Sequence, residues 1–267
     1  MARHVPVLMR LLPDRLKAAV WARWYHLRAE RWQHLFQNAP LRFAPGVAMD
    51  LVPGDIVSGC IAFTGFWELD HSRELRRLAR RGGTMIDVGA NLGYFSLLWA
   101  AASSQNRCVA FEASPRTVSL LRHNVAKNGC EPRIQLFPLA AGRENGRLDF
   151  DLGPPDQMGW GGLVAASTST TVPVDVVRID EALERGERIA LLKIDCEGAD
   201  TWALMGCEEL LRNRLIDCIW FEQHRPRMRA LGIGDQDAQV FLRRLGYLPS
   251  PRSDATGEVV NWCAVPA

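Results

Sequence analysis

No stretch of this chain approaches the roughly 20 consecutive apolar residues needed to cross a bilayer. Its N-terminus lacks the unbroken apolar run of a signal peptide, because Arg10, Asp14, Arg15 and Lys17 interrupt it. There is no C-x-x-C pair. The seven cysteines (Cys60, Cys108, Cys130, Cys196, Cys207, Cys218 and Cys263) are odd in number and scattered, which excludes a disulfide framework. None stands with histidine at zinc-ligand spacing, and several lie in apolar runs where a free thiol packs as a small core side chain. A reducing, cytoplasmic location is the expectation. Internal repeats and low-complexity tracts are absent. With 48% hydrophobic and 23% charged residues, the chain is neither disordered nor collagen-like. At 267 residues it can bury a substantial core in one large domain, or in one domain with an extension.

What is present is unevenly distributed. The formal net charge is only +2, yet residues 1–45 hold eight basic residues against Asp14 and Glu30, so a +6 segment precedes a body of net −4. Trp21, Trp24 and Trp32, a third of the nine tryptophans, lie in that segment. Apolar residues recur there at Leu8, Leu12, Leu16, Val20, Trp24 and Leu27, one face of a helix starting near Pro13 and Asp14. The segment is expected to be an N-terminal helical extension (1–45) that packs as part of the protein or meets a membrane surface or a second copy. Residues 46–267 form the main domain.

Within that domain, Pro40–Gly65 is expected to be a connector carrying a strand or two, for instance at Asp55-Ile56-Val57. A charged helix over His71–Arg81 follows. Strands are expected at Thr84–Val88, Arg107–Glu112, Arg133–Leu139, Ile189–Asp195, Ile216–Glu222 and near Glu258–Val265. Helices are expected at Tyr94–Ala102, Pro115–Asn128, Ala199–Asn213 and Asp237–Leu245. Residues 142–178 lack helical period and suggest a hairpin-rich insertion. Short apolar strands alternating with helices predict an α/β fold, a mostly parallel central sheet with helices on both faces. Ligands of such sheets bind outside the carboxyl ends of the strands. Four of five strand ends here carry acids: Asp87, Glu112, Asp195 and Glu222.

Asp87-Val88-Gly89-Ala90-Asn91-Leu92-Gly93 reads as strand, tight turn and helix start. Its G-x-x-x-G spacing departs from the G-x-G-x-x-G of dinucleotide sites. An acid at position 87 would repel a pyrophosphate and suit a cationic ammonium or sulfonium. Glu112 ends the next strand, where a carboxylate can accept both ribose hydroxyls. These features disfavour the rival reading, a nucleotide-dependent oxidoreductase. A non-catalytic binding protein on the same fold should have lost the strand-end acids.

The chain resembles the FkbM family of S-adenosylmethionine-dependent methyltransferases. The resemblance rests on Gly65-Phe66-Trp67-Glu68, on residues 87–93, on Phe111-Glu112, on Lys193-Ile194-Asp195-Cys196-Glu197-Gly198, on Leu204-Met205-Gly206, on Glu222-Gln223-His224-Arg225-Pro226 and on Leu245-Gly246-Tyr247, spanning about residues 50–248. Two departures are Ala113, where relatives commonly have Pro, and Asp200, where they have Glu. The resemblance implies a Rossmann-like class I methyltransferase. Its S-adenosylmethionine site would draw on Glu68, Asp87, Gly89, Ala90, Asn91, Gly93, Tyr94, Glu112, Ala113, Ala140 and Asp195. Methyl transfer to a hydroxyl of a sugar, polyketide or related metabolite is implied, so the partner is a small-molecule or glycan acceptor. Nucleic acid is not expected, since the N-P-P-Y and D-P-P-Y signatures are absent and the body is acidic.

His224, Asp195, Glu222 and Lys193 are the catalytic candidates, with His224 preferred as the base because its ordinary pKa lies near neutrality. Lys193, inside an apolar strand, is better read as a buried ion-pair partner that orients Asp195. Asp195 and Glu222 are also the only candidates for holding Mg2+, though hydrogen bonding to substrate explains paired acids equally well. Gly159-Trp160-Gly161-Gly162 is either an aromatic lid or a hairpin turn with a packed tryptophan. Arg225, Arg227 and Arg229 either form a solvated face or meet an anionic group.

Overall fold

Alternation of apolar strands and helices builds one seven-stranded sheet in this computed structural model, which describes residues 6, 9, 11–184, 186–252 and 256–267. Its strands are β1 (Thr84–Val88), β2 (Arg107–Phe111), β3 (Ile134–Phe137), β4 (Ile189–Ile194), β5 (Ile219–His224), β6 (Tyr247–Pro251) and β7 (Val259–Pro266). They lie in the order β6-β7-β5-β4-β1-β2-β3, and only β7 runs against the others. Strand order reverses between β1 and β4, so the crevice for a ligand opens beyond Val88 and Ile194.

Side chains alternate between two apolar layers. Met85, Ala110, Leu191 and Trp220 face one layer, with the helices Leu69–Ala79, Tyr94–Ala102 and Pro115–Lys127. Ile86, Val109, Leu192 and Phe221 face the other, with Asp200–Met205 and Asp237–Arg244. The sheet is thus mostly parallel and covered on both faces, a Rossmann-like α/β architecture. The insertion forms a separate four-stranded sheet from Ala140–Ala141, Gly146–Asp151, Gly162–Val164 and Thr171–Val177.

Four local expectations need correcting. Asp55-Ile56-Val57 is not a strand; it opens a buried helix, Ile56–Thr64, because the Asp55 carboxylate accepts from the Ser58 amide at 2.8 Å and caps the first turn. The helix expected over Ala199–Asn213 is two, Asp200–Met205 and Glu208–Arg212, because Asp180 accepts from the amides of Glu209 and Leu210 and starts the second one separately. Tyr247–Pro251 is a strand despite Pro249 and Pro251, since it lies at the sheet edge where a missing N–H is tolerated. Finally, β5 begins later than expected and continues to His224, pairing as far as Val259 of β7.

The N-terminal segment is helical from Asp14 to Leu35, with a π-helical stretch at Trp21–Tyr25. Of the apolar positions read as one face, Leu8 lies outside the described residues. The side chain of Leu27 lies outside them too; of the others, Leu16 and Trp24 are 51% and 64% exposed, while Trp21 is buried against Gly59. Trp21, Leu35, Phe36, Ala39 and Leu41 join the same apolar layer as Met85 and Leu97.

Candidate functional site

A cavity of about 220 Å³ lies at the carboxyl ends of β1, β2 and β4, beneath the insertion. Its floor is the turn after β1. Both Gly89 and Ala90 amides donate to the Phe111 carbonyl, at 2.9 and 3.0 Å. Gly89 sits at φ 72°, and a Cβ there would fall 1.8 Å from the Asp195 carbonyl oxygen. The β1 turn and the β4 end therefore touch backbone to backbone, and only glycine permits it.

Glu112 forms one wall. Its Oε2 accepts from the Asn91 amide at 2.6 Å and its Oε1 from the Ser114 amide at 2.8 Å. Burial nevertheless raises its pKa, against the pull of those two amides. Each oxygen keeps a further acceptor site, so the carboxylate is fixed in orientation and able to receive a pair of hydroxyls. Beyond it the lining becomes apolar, through Ala113, Leu139, Ala140 and Phe150. Two buried polar atoms of lining residues, Asn91 Oδ1 and Ser114 Oγ, have no partner among the described residues.

The opposite end is acidic. Glu68, Asp195, Glu197 and Glu222 all line the cavity. Burial and then the neighbouring Asp195 push Glu222 up to about 9 and Glu197 up to about 7. Asp195 is also raised, by burial, although Lys193 opposes the shift. Glu68 takes an unusual left-handed backbone, φ 43°. His71 Nδ1 lies 3.3 Å from its carboxylate, and the His71 ring lies 5.7 Å from that of Trp220.

Lys193 stands directly opposite Asp87 in the β4–β1 register, with Nζ 3.1 Å from Asp87 Oδ1 and 3.7 Å from Asp195 Oδ2. Burial alone would lower its pKa, but the two carboxylates more than reverse this and keep it charged. It is a buried cation held between Asp87 and Asp195.

Of the residues proposed from the sequence, the cavity brings together Glu68, Gly89, Ala90, Asn91, Tyr94, Glu112, Ala113, Ala140, Lys193, Asp195 and Glu222. Three stand elsewhere. Asp87 is fully buried beneath the turn, its charge engaged by Lys193 and its Oδ2 accepting from Ser96 Oγ at 2.6 Å. It does not line the cavity, whereas Glu68, Asp195 and Glu222 do. Gly93 packs against the next helix, since a Cβ there would meet Leu121 Cδ1 at 2.5 Å. His224 is outside the lining because β5 extends two residues beyond Glu222, about 6.6 Å at ordinary strand rise. Burial and the Arg227 guanidinium hold its pKa down. Among the described residues no group of three or more His, Cys, Asp or Glu side chains has a metal-holding arrangement.

The insertion covers the cavity. Met158, Trp160 and Leu163 line it from above, with Trp160 53% exposed. Bonds that hold this cover include Met158 N–H to Asp55 Oδ1 at 3.0 Å, Ile56 N–H to the Asp156 carbonyl at 3.1 Å, Arg227 Nη1 to the Trp160 carbonyl at 2.8 Å and Arg116 Nη1 to the Gly153 carbonyl at 3.0 Å. Arg227 also pairs with Glu197 at 3.3 Å, and Arg229 with Asp235 at 2.7 Å. Val57 and Ile61 of the missed helix wall the cavity too. The spacing Asp55-x-x-Ser58 would have revealed that helix, since the Asp caps the amide three residues on.

The doubly wound sheet, with a glycine turn after β1, an acid after β2, another after β4 and a third near the end of β5, is a Rossmann-like architecture of the kind class I methyltransferases have. The match to the family model for the methyltransferase FkbM domain covers residues 87–249, and the chain belongs to that family. It is 27% identical over 207 residues to methyltransferase sdnD of Sordaria araneosa, covering 64% of this chain and 80% of that protein. With methyltransferase 1 of Beauveria bassiana it shares 28% over 150 residues, 47% of this chain and 58% of the relative. Among solved structures, a precorrin-6y C5,15-methyltransferase from Geobacter metallireducens is similar at a TM-score of 0.44 and 14% identity, covering 76% of this chain and 90% of its own.

Proposed function

We propose that this methyltransferase uses S-adenosylmethionine and methylates a hydroxyl oxygen of a small acceptor such as a sugar, a polyketide or a related metabolite. The observation that carries the reading is the cavity's polarity: a clamped Glu112 at one end and the carboxylates of Glu68, Asp195 and Glu222 at the other. The residues fit the cofactor. Glu112 would receive the ribose hydroxyls, and Ala113, Leu139, Ala140 and Phe150 would enclose the purine. Asn91 Oδ1 and Ser114 Oγ offer unpaired polar atoms. The acidic end suits the ammonium and sulfonium charges.

When bound, the cofactor supplies an already activated methyl group, so the protein's tasks are alignment and removal of the acceptor's proton. Asp195 takes that proton. It is the strand-end carboxylate that Lys193 biases toward ionisation, whereas Glu222, protonated in the ligand-free protein, would ionise beside the cofactor's positive charge. Lys193 acts through Asp195 by fixing its position. The acidic rim disfavours phosphorylated acceptors, including nucleic acid. This reading needs no metal.

The test is a methyl-transfer screen with labelled S-adenosylmethionine against neutral hydroxylated metabolites, glycans and phosphorylated analogues, with and without EDTA. Transfer to oxygen of a neutral acceptor, unaffected by EDTA, is expected. Transfer only to nitrogen or carbon, or only to anionic acceptors, would overturn it.

A further inference from the structure

The outward side of the N-terminal helical segment has no role in the site. Leu11, Leu16 and Trp24 are 79%, 51% and 64% exposed, Leu11 and Trp24 being the two most exposed large apolar side chains among the described residues. Arg15, Arg23 and Arg31 of the same segment are also exposed and form no ion pair with any described side chain. Of the segment's two acids, Asp14 is already engaged by Lys17 at 3.0 Å and Arg42 at 3.4 Å. The inner side is spoken for, because Trp21 packs on Gly59 and Phe36 lies in the main core. The apolar side chains pointing outward are therefore not a misplaced core face.

We propose that this face docks the protein on an anionic lipid bilayer. Leucine and tryptophan inserted at headgroup depth, with arginines level with the phosphates, is the arrangement of a helix lying in the interface. Each basic residue near an anionic surface adds about 1 kcal/mol of attraction, which salt screens. A second copy of this chain would set arginine against arginine, so a lipid surface is the better match to the charge. No described helix is long and apolar enough to cross a membrane, so the contact is peripheral. Trp21 rests on Ile56–Thr64, the helix that supplies Val57 and Ile61 to the cavity wall. Docking would hold the cavity about one helix diameter, roughly 10 Å, from the lipid surface.

The experiment is co-sedimentation of the full chain with sucrose-loaded vesicles of phosphatidylcholine and phosphatidylglycerol at 7:3, beside pure phosphatidylcholine. Binding to the anionic vesicles at 0.1 M NaCl, lost at 0.5 M, is expected. A Leu16→Asp/Trp24→Asp variant should bind at least tenfold more weakly, with thermal melting unchanged. Arg15→Glu/Arg23→Glu, which leaves the apolar side chains in place, should do the same and covers the case in which the first variant folds poorly. Equal partition of wild type and both variants, or no binding by wild type, overturns the proposal. So does equal binding to neutral vesicles, or a wild-type dimer in light scattering that Leu16→Asp/Trp24→Asp converts to monomer. Because the readout is lipid binding, it stands or falls independently of methyl transfer.

Discussion

Glu222 should make cofactor binding release protons. Burial and the surrounding Asp195, Asp200, Glu197 and Glu68 raise its pKa to about 9, so at pH 7 only roughly 1% of free protein carries it ionised. A sulfonium placed among these carboxylates favours the ionised form, and binding then discharges close to one proton per site. Between a lowered bound-state pKa and about 9, affinity should gain about tenfold per pH unit, or roughly 30-fold from pH 6 to 7.5. S-adenosylhomocysteine, whose sulfur is neutral, should show a much shallower slope. Isothermal titration calorimetry in buffers of different ionisation enthalpy counts the protons directly. Glu222→Gln retains the ligand's own amine titration and removes the residue's share, so the S-adenosylmethionine slope should flatten. Equal proton release for both ligands, unaltered by Glu222→Gln, would refute the assignment of this end of the cavity to the sulfonium.

Glu112→Gln should weaken S-adenosylmethionine binding ten- to a hundredfold, about what losing charged hydrogen bonds costs; unchanged binding in equilibrium dialysis would remove the ribose assignment. Asp195→Asn should lower kcat by about 10²–10³, whereas His224→Gln should stay within about threefold of wild type, and steady-state kinetics on any accepted substrate decides between them. Gly89→Ala should lose both cofactor binding and several degrees of melting temperature, because its Cβ must displace the Asp195 carbonyl. A group whose folded-state pKa is raised holds more protons folded than unfolded, so stability falls as pH climbs from its unfolded value to its folded one. With Glu222 raised to about 9 and Asp200 to about 7, the ligand-free protein should melt progressively lower from pH 5 to pH 9, and less steeply in Glu222→Gln.

The alternating architecture was legible because β1, β2 and β4 are short apolar runs bounded by glycine or acid, and strand ends are where doubly wound folds bind. The positions of Glu112 and the Gly89 turn at the cavity were readable for the same reason: both follow from local geometry. What failed depended on partners distant in sequence. Asp87 looked like a ligand-facing acid until β4 placed Lys193 beside it, more than a hundred residues on. His224 was judged by its intrinsic pKa, but its distance from the cavity is set by how far β5 pairs with β7. The helix Ile56–Thr64 was hidden because its β-branched, all-round apolar residues mimic a strand, and burial on every side erases helical periodicity. Trp21, rather than Trp24, turned inward, where it packs on Gly59 of a helix distant in sequence.

Asp55 holds two things at once. One of its oxygens anchors the first turn of Ile56–Thr64, and the other grips Met158 in the cover above the cavity. The same residue thus couples the doorway to the wall. Arg116 adds bonds to the carbonyls of Leu152 and Gly153 in the same insertion. A change at Met158 is therefore felt at the cap of the helix that walls the cavity, and a change at that cap is felt in the cover.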